Sequence, residues 1–301
     1  MENLIRNGYD EEKRDGYVVE TKMKKIWSVQ LDLLMELQRV CNRYNIKMFV
    51  VWGTLLGAIR HKGFIPWDDD LDVGLLREDY DKLCEIASKE FCEPYFFQTA
   101  DSDRNFFIGY ARLRNSDTTG IIKDNLDVEY NNGIYIDIYP LDGYPQNNLK
   151  RQIQFLMRDF YTSIGLIYYR TNYPDNVIKK GLIKCCQKIA HIVKYETILK
   201  KYYKWCTISN KNAETVGLLY HNSLCEKYYF KKRYIGNIKK MQYENCMVNV
   251  PENYDKILKS VYGDYMKFPP VKERGMWHND QLIYDPDIPY KEYIATHNIN
   301  E

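Results

Sequence analysis

Four aspartates crowd into five residues, Asp68-Asp69-Asp70-Leu71-Asp72. Asp70 and Asp72 are one residue apart, so on a β-strand both side chains project from one face. Asp68 continues that spacing, whereas Asp69 points the other way. Carboxylates held side by side repel unless a cation lies between them, and hard oxygen ligands of this kind suit Mg²⁺ or Mn²⁺. A solvated acidic turn after Pro66 would carry the same residues without a metal. The distinction rests on what else the chain brings to the run.

Three features bear on it. Gly53-Thr54 closes an apolar run and precedes Leu55-Leu56-Gly57-Ala58-Ile59-Arg60, a helix start whose backbone N–H groups can cradle a phosphate, with Gly53 and Gly57 allowing close approach. Arg60-His61-Lys62 places Arg60 and Lys62 between that turn and the carboxylates, either as pyrophosphate contacts or as solvated charges at a helix end. Asp137 is a polar residue on a strand whose Ile134, Ile136 and Ile138 face the other way. A buried aspartate there without a metal or a donor would be costly. A strand ending in Gly-Thr, an Asp-x-Asp strand and a third carboxylate on a separate strand form the arrangement of the nucleotidyltransferase fold typified by DNA polymerase β. Arg112 and Arg114, near the end of another strand candidate, are either phosphate contacts or structural charges.

The run from Trp52-Gly53-Thr54-Leu55-Leu56-Gly57-Ala58-Ile59-Arg60 through His61-Lys62-Gly63-Phe64-Ile65-Pro66-Trp67 to Asp68-Asp69-Asp70-Leu71-Asp72-Val73 resembles the signature of the LicD family, which includes bacterial phosphocholine transferases and is related to fukutin. Ile136-Asp137-Ile138-Tyr139-Pro140-Leu141-Asp142-Gly143 and the segment from Tyr262-Gly263-Asp264-Tyr265-Met266 to Pro269-Pro270 are similar to its later blocks. The resemblance implies transfer of a phosphorylated alcohol, typically phosphocholine, from its CDP derivative to a sugar of a surface glycan or its lipid-linked precursor, with CMP released. It further implies Mg²⁺, with Mn²⁺ as substitute, on Asp70, Asp72 and Asp68. Asp137 completes that site or accepts the sugar hydroxyl proton, and both roles stay open. Lys272, Arg274 and His278 fall in a segment similar to the family's basic closing block and would line the donor site together with Gly53, Thr54, Gly57, Arg60, Lys62 and Arg114.

The elements needed to position these groups can be read from periodicity. Ile26, Val29, Leu33, Leu37, Val40 and Tyr44 mark a helix over about 22–44, Met48 to Trp52 a buried strand, and Leu71, Val73 and Leu75 a second strand. Tyr80, Leu83, Ala87 and Phe91 give another helix, and 106–113 and 134–139 two further strands. Long helical patterns occupy 147–222 with a break at Pro174, and a last helix over 252–262 stops at Gly263. The expectation is an α/β (α+β) protein: a nucleotidyltransferase-like mixed sheet with flanking helices in 1–146 plus 240–301, and a helical region in 147–239 packed on or inserted in it.

Composition sets the remaining limits. With 301 residues, 45% apolar, 28% charged and a net charge of +2, the chain reads as globular, and nucleic-acid binding is disfavoured. Its eight cysteines contain no Cys-x-x-Cys and read as reduced thiols. No apolar run approaches the roughly 18 residues of a spanning helix and the first 25 residues lack a signal-peptide core, which points to a cytoplasmic protein, with peripheral contact at the inner face of the cell membrane in view. From Ile178 to Trp205 the chain carries eight lysines against Glu196, and Leu182, Cys186, Ile189 and Val193 share one helical face. That face either packs on the core or docks on an anionic membrane surface. Other readings use the same residues: a phosphoethanolamine, ribitol phosphate, glycerol phosphate or phosphonate headgroup, a nucleotidyltransferase that makes the activated donor, or an inactive glycan-binding scaffold. The last would be expected to lose the carboxylates retained here.

Overall fold

A computed structural model of the protein describes residues 4–123, 128–170, 173, 176–219, 228–275 and 281–297. A short hairpin, β1 (Glu12–Arg14) and β2 (Tyr17–Val19), leads into the long helix α1 (Thr21–Arg43). Trp27, Leu31, Leu34, Leu37 and Cys41 are buried along one face of α1, whereas Glu20 before it provides no side-chain cap. Each buried large apolar side chain contributes about 1.5–3 kcal/mol, so packing rather than capping fixes this helix.

Strand β3 (Met48–Val50) passes almost directly into α2 (Trp52–Arg60). The strand expected to run through Trp52 thus ends earlier, because Trp52 takes φ of 48° and opens the helix. That backbone region is disfavoured for a bulky side chain. Packing holds it there, with the indole edge-on to Tyr228 at 5.2 Å and to Phe230 at 6.2 Å. Strand β4 (Asp72–Leu76) and α3 (Arg77–Glu90) follow, then β5 (Tyr95–Gln98), β6 (Ala111–Asn115), β7 (Thr119–Ile122) and β8 (Ile134–Gly143). The strand expected over 106–113 begins later, since the Phe106 amide closes a turn onto the Asp103 carbonyl.

Strand β8 is the spine of a mixed sheet. It pairs antiparallel with β6 over its first half and parallel with β4 over its centre, which sets Asp137 opposite both Arg112 and Asp72. β3 lies antiparallel outside β4, and β5 outside β6. The main core, from α1, α2, β3, β4 and β8, fills both sides of this arrangement.

Helices α4 (Asn148–Tyr168), α5 (Val177–Ala190) and α6 (Tyr195–Thr207) form the expected helical region, with Pro174 outside the described residues. The helical character stops at Thr207: β9 (Thr215–Gly217) pairs with the end of β8, and β10 (Tyr229–Lys231) with β9, so part of 147–239 extends the main sheet. A second, aromatic core of Phe107, Tyr144, Phe155, Tyr195 and Tyr202 joins α4 and α6 to the sheet. The chain then forms the hairpin β11 (Ile238–Tyr243) and β12 (Cys246–Pro251), followed by α7 (Tyr254–Tyr262), which ends at Gly263 with φ of 65°. Strand β13 (Leu282–Asp285) pairs with β7, and α8 (Tyr290–Thr296) closes the described chain.

A buried ion pair ties these parts together. Arg77 at the start of α3 donates through Nε and Nη2 to both oxygens of Asp142 at 2.8 and 2.5 Å, and Asn210 donates to the same Asp142 at 2.8 Å. Removing one member of a buried pair leaves the other charge uncompensated at a cost of about 3–5 kcal/mol. Asp142→Ala is expected to lower the urea unfolding free energy by about that amount, whereas Asp255→Ala, which breaks the exposed pair with Lys259, leaves the midpoint close to the parent value.

Candidate functional site

The backbone of the acidic run is pinned before its charges are considered. Trp27 Nε1 donates to the Asp68 carbonyl at 3.0 Å and Gln30 Nε2 to the Asp69 carbonyl at 2.7 Å, both from α1. Asp70 lies just outside β4 and Asp72 is its first residue. The Asp72 amide donates to Thr54 Oγ1 at 2.8 Å and its carbonyl accepts from Val51 at 3.1 Å, so the start of α2 and the start of β4 are stitched together. A Cβ on Gly53 would come within 2.9 Å of Asp68 Oδ2 and 3.9 Å of Asp70 Oδ1. Glycine is therefore needed there for the carboxylates to stand over the first turn of α2, where the positive end of the helix dipole faces them.

The electrostatics of the cluster are those of crowded like charges. Burial, followed by the charges of Asp70 and Asp69, pushes Asp68 well above the usual carboxylate range; burial followed by Asp70, Asp137 and Asp68 does the same to Asp72. The proximity of the Asp70 side chain adds to the rise at Asp68. Asp72 Oδ1 is buried and has no hydrogen-bond partner. Among the described residues no group of three or more His, Cys, Asp or Glu side chains is already arranged around a common cation position. The chemistry of Asp68, Asp70 and Asp72 nonetheless fits a hard divalent ion, being all oxygen, mutually repelling and including one buried oxygen without a donor.

Asp137 faces Asp72 across β4 and β8, but its oxygens are already engaged. Arg112 Nε donates to Oδ1 at 2.7 Å and the Tyr139 hydroxyl donates to Oδ2 at 3.1 Å. The Arg112 guanidinium stacks over Tyr135 at 3.8 Å, and its Nη1 is buried without a partner. Burial is the largest influence on it and opposes its charge, but Asp137 together with Tyr135 and Tyr110 outweighs burial and raises the Arg112 pKa. The nearby Tyr139 side chain partly opposes the rise at Asp72. Two further phenols sense the cluster: Tyr262, although 41% exposed, is raised by local desolvation of its hydroxyl and then by Asp68 and Asp72, and burial, Tyr135 and then Asp69 and Asp70 raise Tyr284. The roles of Tyr139, Tyr262 and Tyr284 were not anticipated from sequence. The i, i+2 spacing of Tyr139 from Asp137 is a usable signal; for Tyr284 there is none, because its approach depends on the β7–β13 pairing.

The remaining basic and glycine positions divide. Gly57 packs against the chain rather than facing a ligand, since a Cβ there would meet the Gly63 carbonyl at 2.5 Å. Arg60 donates to the Tyr265 carbonyl at 2.9 Å and lies over Phe268, and Arg274 donates to the carbonyls of Pro269 and Asp15 and lies over Trp67 at 4.6 Å. These two arginines clamp the C-terminal segment beside the acidic run. Lys62 and Lys272 are exposed, and His278 lies outside the described residues. Arg114 is fully buried and donates to Gln98 and to the Gly133 carbonyl at 2.5 and 2.6 Å, which braces the entry to β8. Burial and the neighbouring Arg112 push its pKa down to about 10. The structure thus brings together Gly53, Thr54, Asp68, Asp70, Asp72 and Asp137, and sets Arg114 apart. A groove of 770 Å³ lined by Arg77, Tyr80, Asp81, Lys200 and Tyr203 shares no residue with this cluster.

Comparison with known proteins bears on the same segment. Residues 45–164 match the family described as LicD/FKTN/FKRP, nucleotidyltransferase domain. The chain is 28% identical over 265 residues to the lipopolysaccharide cholinephosphotransferase LicD of Haemophilus influenzae, covering 83% of this chain and 93% of that protein. It is 35% identical over 120 residues to an uncharacterized protein of Rickettsia prowazekii, 38% of this chain and 40% of that one. It is 28% identical over 107 residues to the ribitol 5-phosphate transferase FKRP of Mus musculus, 35% of this chain and 18% of that protein.

The charge crowding has a measurable consequence for stability. A carboxyl whose folded pKa is raised costs nothing while it is protonated in both states, and destabilises the fold as pH rises from its unfolded value of about 4 through the folded one. In chelator, the melting temperature of the parent is expected to fall over that rise. Asp68→Asn and Asp72→Asn should each flatten the fall and raise the neutral-pH midpoint by about 2–4 °C. Added Mg²⁺ or Mn²⁺ should raise the parent's midpoint and leave both variants unmoved, as scanning calorimetry would show.

Proposed function

On the premise that the chain belongs to the LicD family, we propose that it transfers a phosphorylated alcohol, with phosphocholine first among the headgroups, from a CDP-activated donor to a sugar hydroxyl of a glycan or its lipid-linked precursor, releasing CMP. The observation that carries this reading is the buried, donorless Asp72 oxygen within a cluster of like charges at the N-terminus of α2. Such a cluster is costly for a fold to keep and suits a cation-assisted reaction on phosphate. The acceptor class and the first headgroup rest on the printed activities of the two transferases to which the chain is similar. The order of elements is consistent with a nucleotidyltransferase-like fold, with Asp72 and Asp137 on neighbouring parallel strands beside the start of α2.

In this reading Asp68, Asp70 and Asp72 hold Mg²⁺, or Mn²⁺ in its place. The ion supplies charge neutralisation on the donor pyrophosphate. Phosphoryl transfer needs positioning and electrostatic stabilisation more than a protein nucleophile, and the chain's own groups provide both. Gly53 keeps the first turn of α2 open, so that backbone N–H groups can approach a phosphate oxygen. Arg112, held by Asp137 and stacked on Tyr135, carries an N–H without a partner that can meet developing negative charge. With both oxygens engaged, Asp137 acts chiefly by holding Arg112 and Tyr139. Tyr139, Tyr262 and Tyr284 offer aromatic faces suited to a quaternary ammonium headgroup.

A panel of CDP-alcohols incubated with the purified protein, Mg²⁺ and a glycan acceptor should release CMP, and fastest from CDP-choline. Asp70→Asn and Asp72→Asn should each lower turnover by about a thousandfold or more while remaining folded. Release of pyrophosphate from CTP and a phosphorylated alcohol would instead identify an enzyme that makes the donor. Near-parental turnover in both variants would remove the cation seat from the mechanism.

A further inference from the structure

Helix α5 is amphipathic in the reverse of the usual sense. Its attachment to the protein is a narrow seam of Ile183, Gln187 and Ala190, with Gln187 at its centre, and Ala190 is its one buried residue. Gln187 Nε2 donates to the carbonyls of Ile167, Tyr168 and Arg170 at 3.1, 3.2 and 3.0 Å, and its Oε1 accepts from the Tyr173 hydroxyl at 2.7 Å. On the opposite face Ile178, Leu182 and Ile189 recur at helical spacing and are 81%, 66% and 61% exposed; Ile192 just beyond the helix is 81% exposed. A surface helix of a water-soluble domain turns such a stripe inwards. Helix α4 leaves a second stripe outside, with Leu149, Ile153, Leu156 and Phe160 all exposed. Apolar exposure on this scale marks an interaction surface.

The charges beside the α5 stripe identify what it meets. Lys179, Lys180, Lys184, Lys188 and Lys194 are all exposed, and no acidic residue occurs from Val177 to Lys194. On a helical wheel Lys179 and Lys188 edge the apolar stripe on its two sides, Lys184 lies farther round, and Lys180 falls beside Gln187 on the far side. A partner protein or a second copy of this chain would have to present both an apolar groove and a dense acidic rim. A second copy presents neither from this helix, since its own face is apolar and basic. An anionic lipid surface presents both at once, with acyl chains beneath a plane of negative headgroups. No helix among the described residues is long and apolar enough to cross a membrane, so contact through this face would be interfacial.

We propose that the outer face of α5, edged by Lys179 and Lys188, is a docking surface for an anionic lipid bilayer, with the helix lying in the interface plane. The proposal does not depend on the assigned chemistry, but it would place a transferase beside lipid-linked acceptors. The test is co-sedimentation of the full chain with vesicles of phosphatidylcholine alone or mixed equally with phosphatidylglycerol, at low and high salt. Binding to the mixed vesicles, weakened by salt, is the expected result. The variant Ile178→Ser/Leu182→Ser/Ile189→Ser should lower the partition constant by at least about tenfold. The variant Lys179→Gln/Lys180→Gln/Lys184→Gln/Lys188→Gln should lower it on mixed vesicles by at least about tenfold and leave the weak binding to neutral vesicles unchanged. All seven positions are solvent-exposed, so both variants should keep the parent's circular dichroism and melting temperature. Absence of binding to mixed vesicles, or parental binding by the serine variant, would overturn the proposal. So would a parent dimer in solution that the serine substitutions dissociate, since that outcome assigns the face to a second copy.

Discussion

Like charges brought into contact within a low-dielectric region form the constraint around which the rest of the molecule is arranged. Asp68, Asp70 and Asp72 do not gather because they attract; the backbone carries them there. α1 reaches across with Trp27 and Gln30 to hold the carbonyls of the run, and Thr54 receives the Asp72 amide. Gly53 gives way where any side chain would collide with Asp68. Each of these contacts is directed at the main chain and leaves the carboxylates to their mutual repulsion. A structure that fixes the backbone so firmly while leaving an Asp72 oxygen without a donor concentrates its unfavourable energy at one point.

A second layer moderates that field without neutralising it. Arg112 compensates Asp137 rather than the run itself, and the tyrosines around the cluster are pushed toward keeping their protons. Phenols that stay protonated are hydrogen-bond donors at neutral pH, so the surroundings of the carboxylates are polar but carry little further charge. Farther out, Arg60 and Arg274 spend their charge on backbone carbonyls and aromatic faces, which fastens the C-terminal segment beside Trp67. Among the described residues Arg60, Arg77 and Arg274 serve as fasteners, whereas Arg112 and Arg114, both stacked on Tyr135, each also keep a buried N–H group without a partner.

Much of the frame was legible in the sequence because it depends on local periodicity. α1, α3 and α7 follow their apolar spacing closely, and Gly263 stops α7 by adopting the left-handed backbone that glycine tolerates. The grouping of the acidic run with Gly53, Thr54 and Asp137 was legible from the spacing of the motif, although of these residues only Asp72 and Asp137 lie on strands. What escaped was decided by pairing and packing. Arg112 and Arg114 share a strand face and look equivalent in sequence, but register sets one opposite Asp137 and the other opposite Tyr135. Trp52 reads as a strand residue until Tyr228 and Phe230 close around its ring. The period of α5 was plain, but which of its faces would meet the protein was not, because Gln187 at the centre of the seam carries no hydrophobic signal.

The parallel pairing of β4 with β8 also joins segments that are far apart in the chain. β3, α2 and β4 are neighbours in sequence and can associate early, whereas β8 must return from far along the chain before Asp137 meets Asp72. Closing that long loop is the slow kind of step in folding. The strand that carries Asp137 beside Asp72 is also paired with β6, which sets Arg112 opposite Asp137. The additional anion and its compensating cation therefore share one sheet register, and a shift of β8 against β6 would separate them while leaving the acidic run intact.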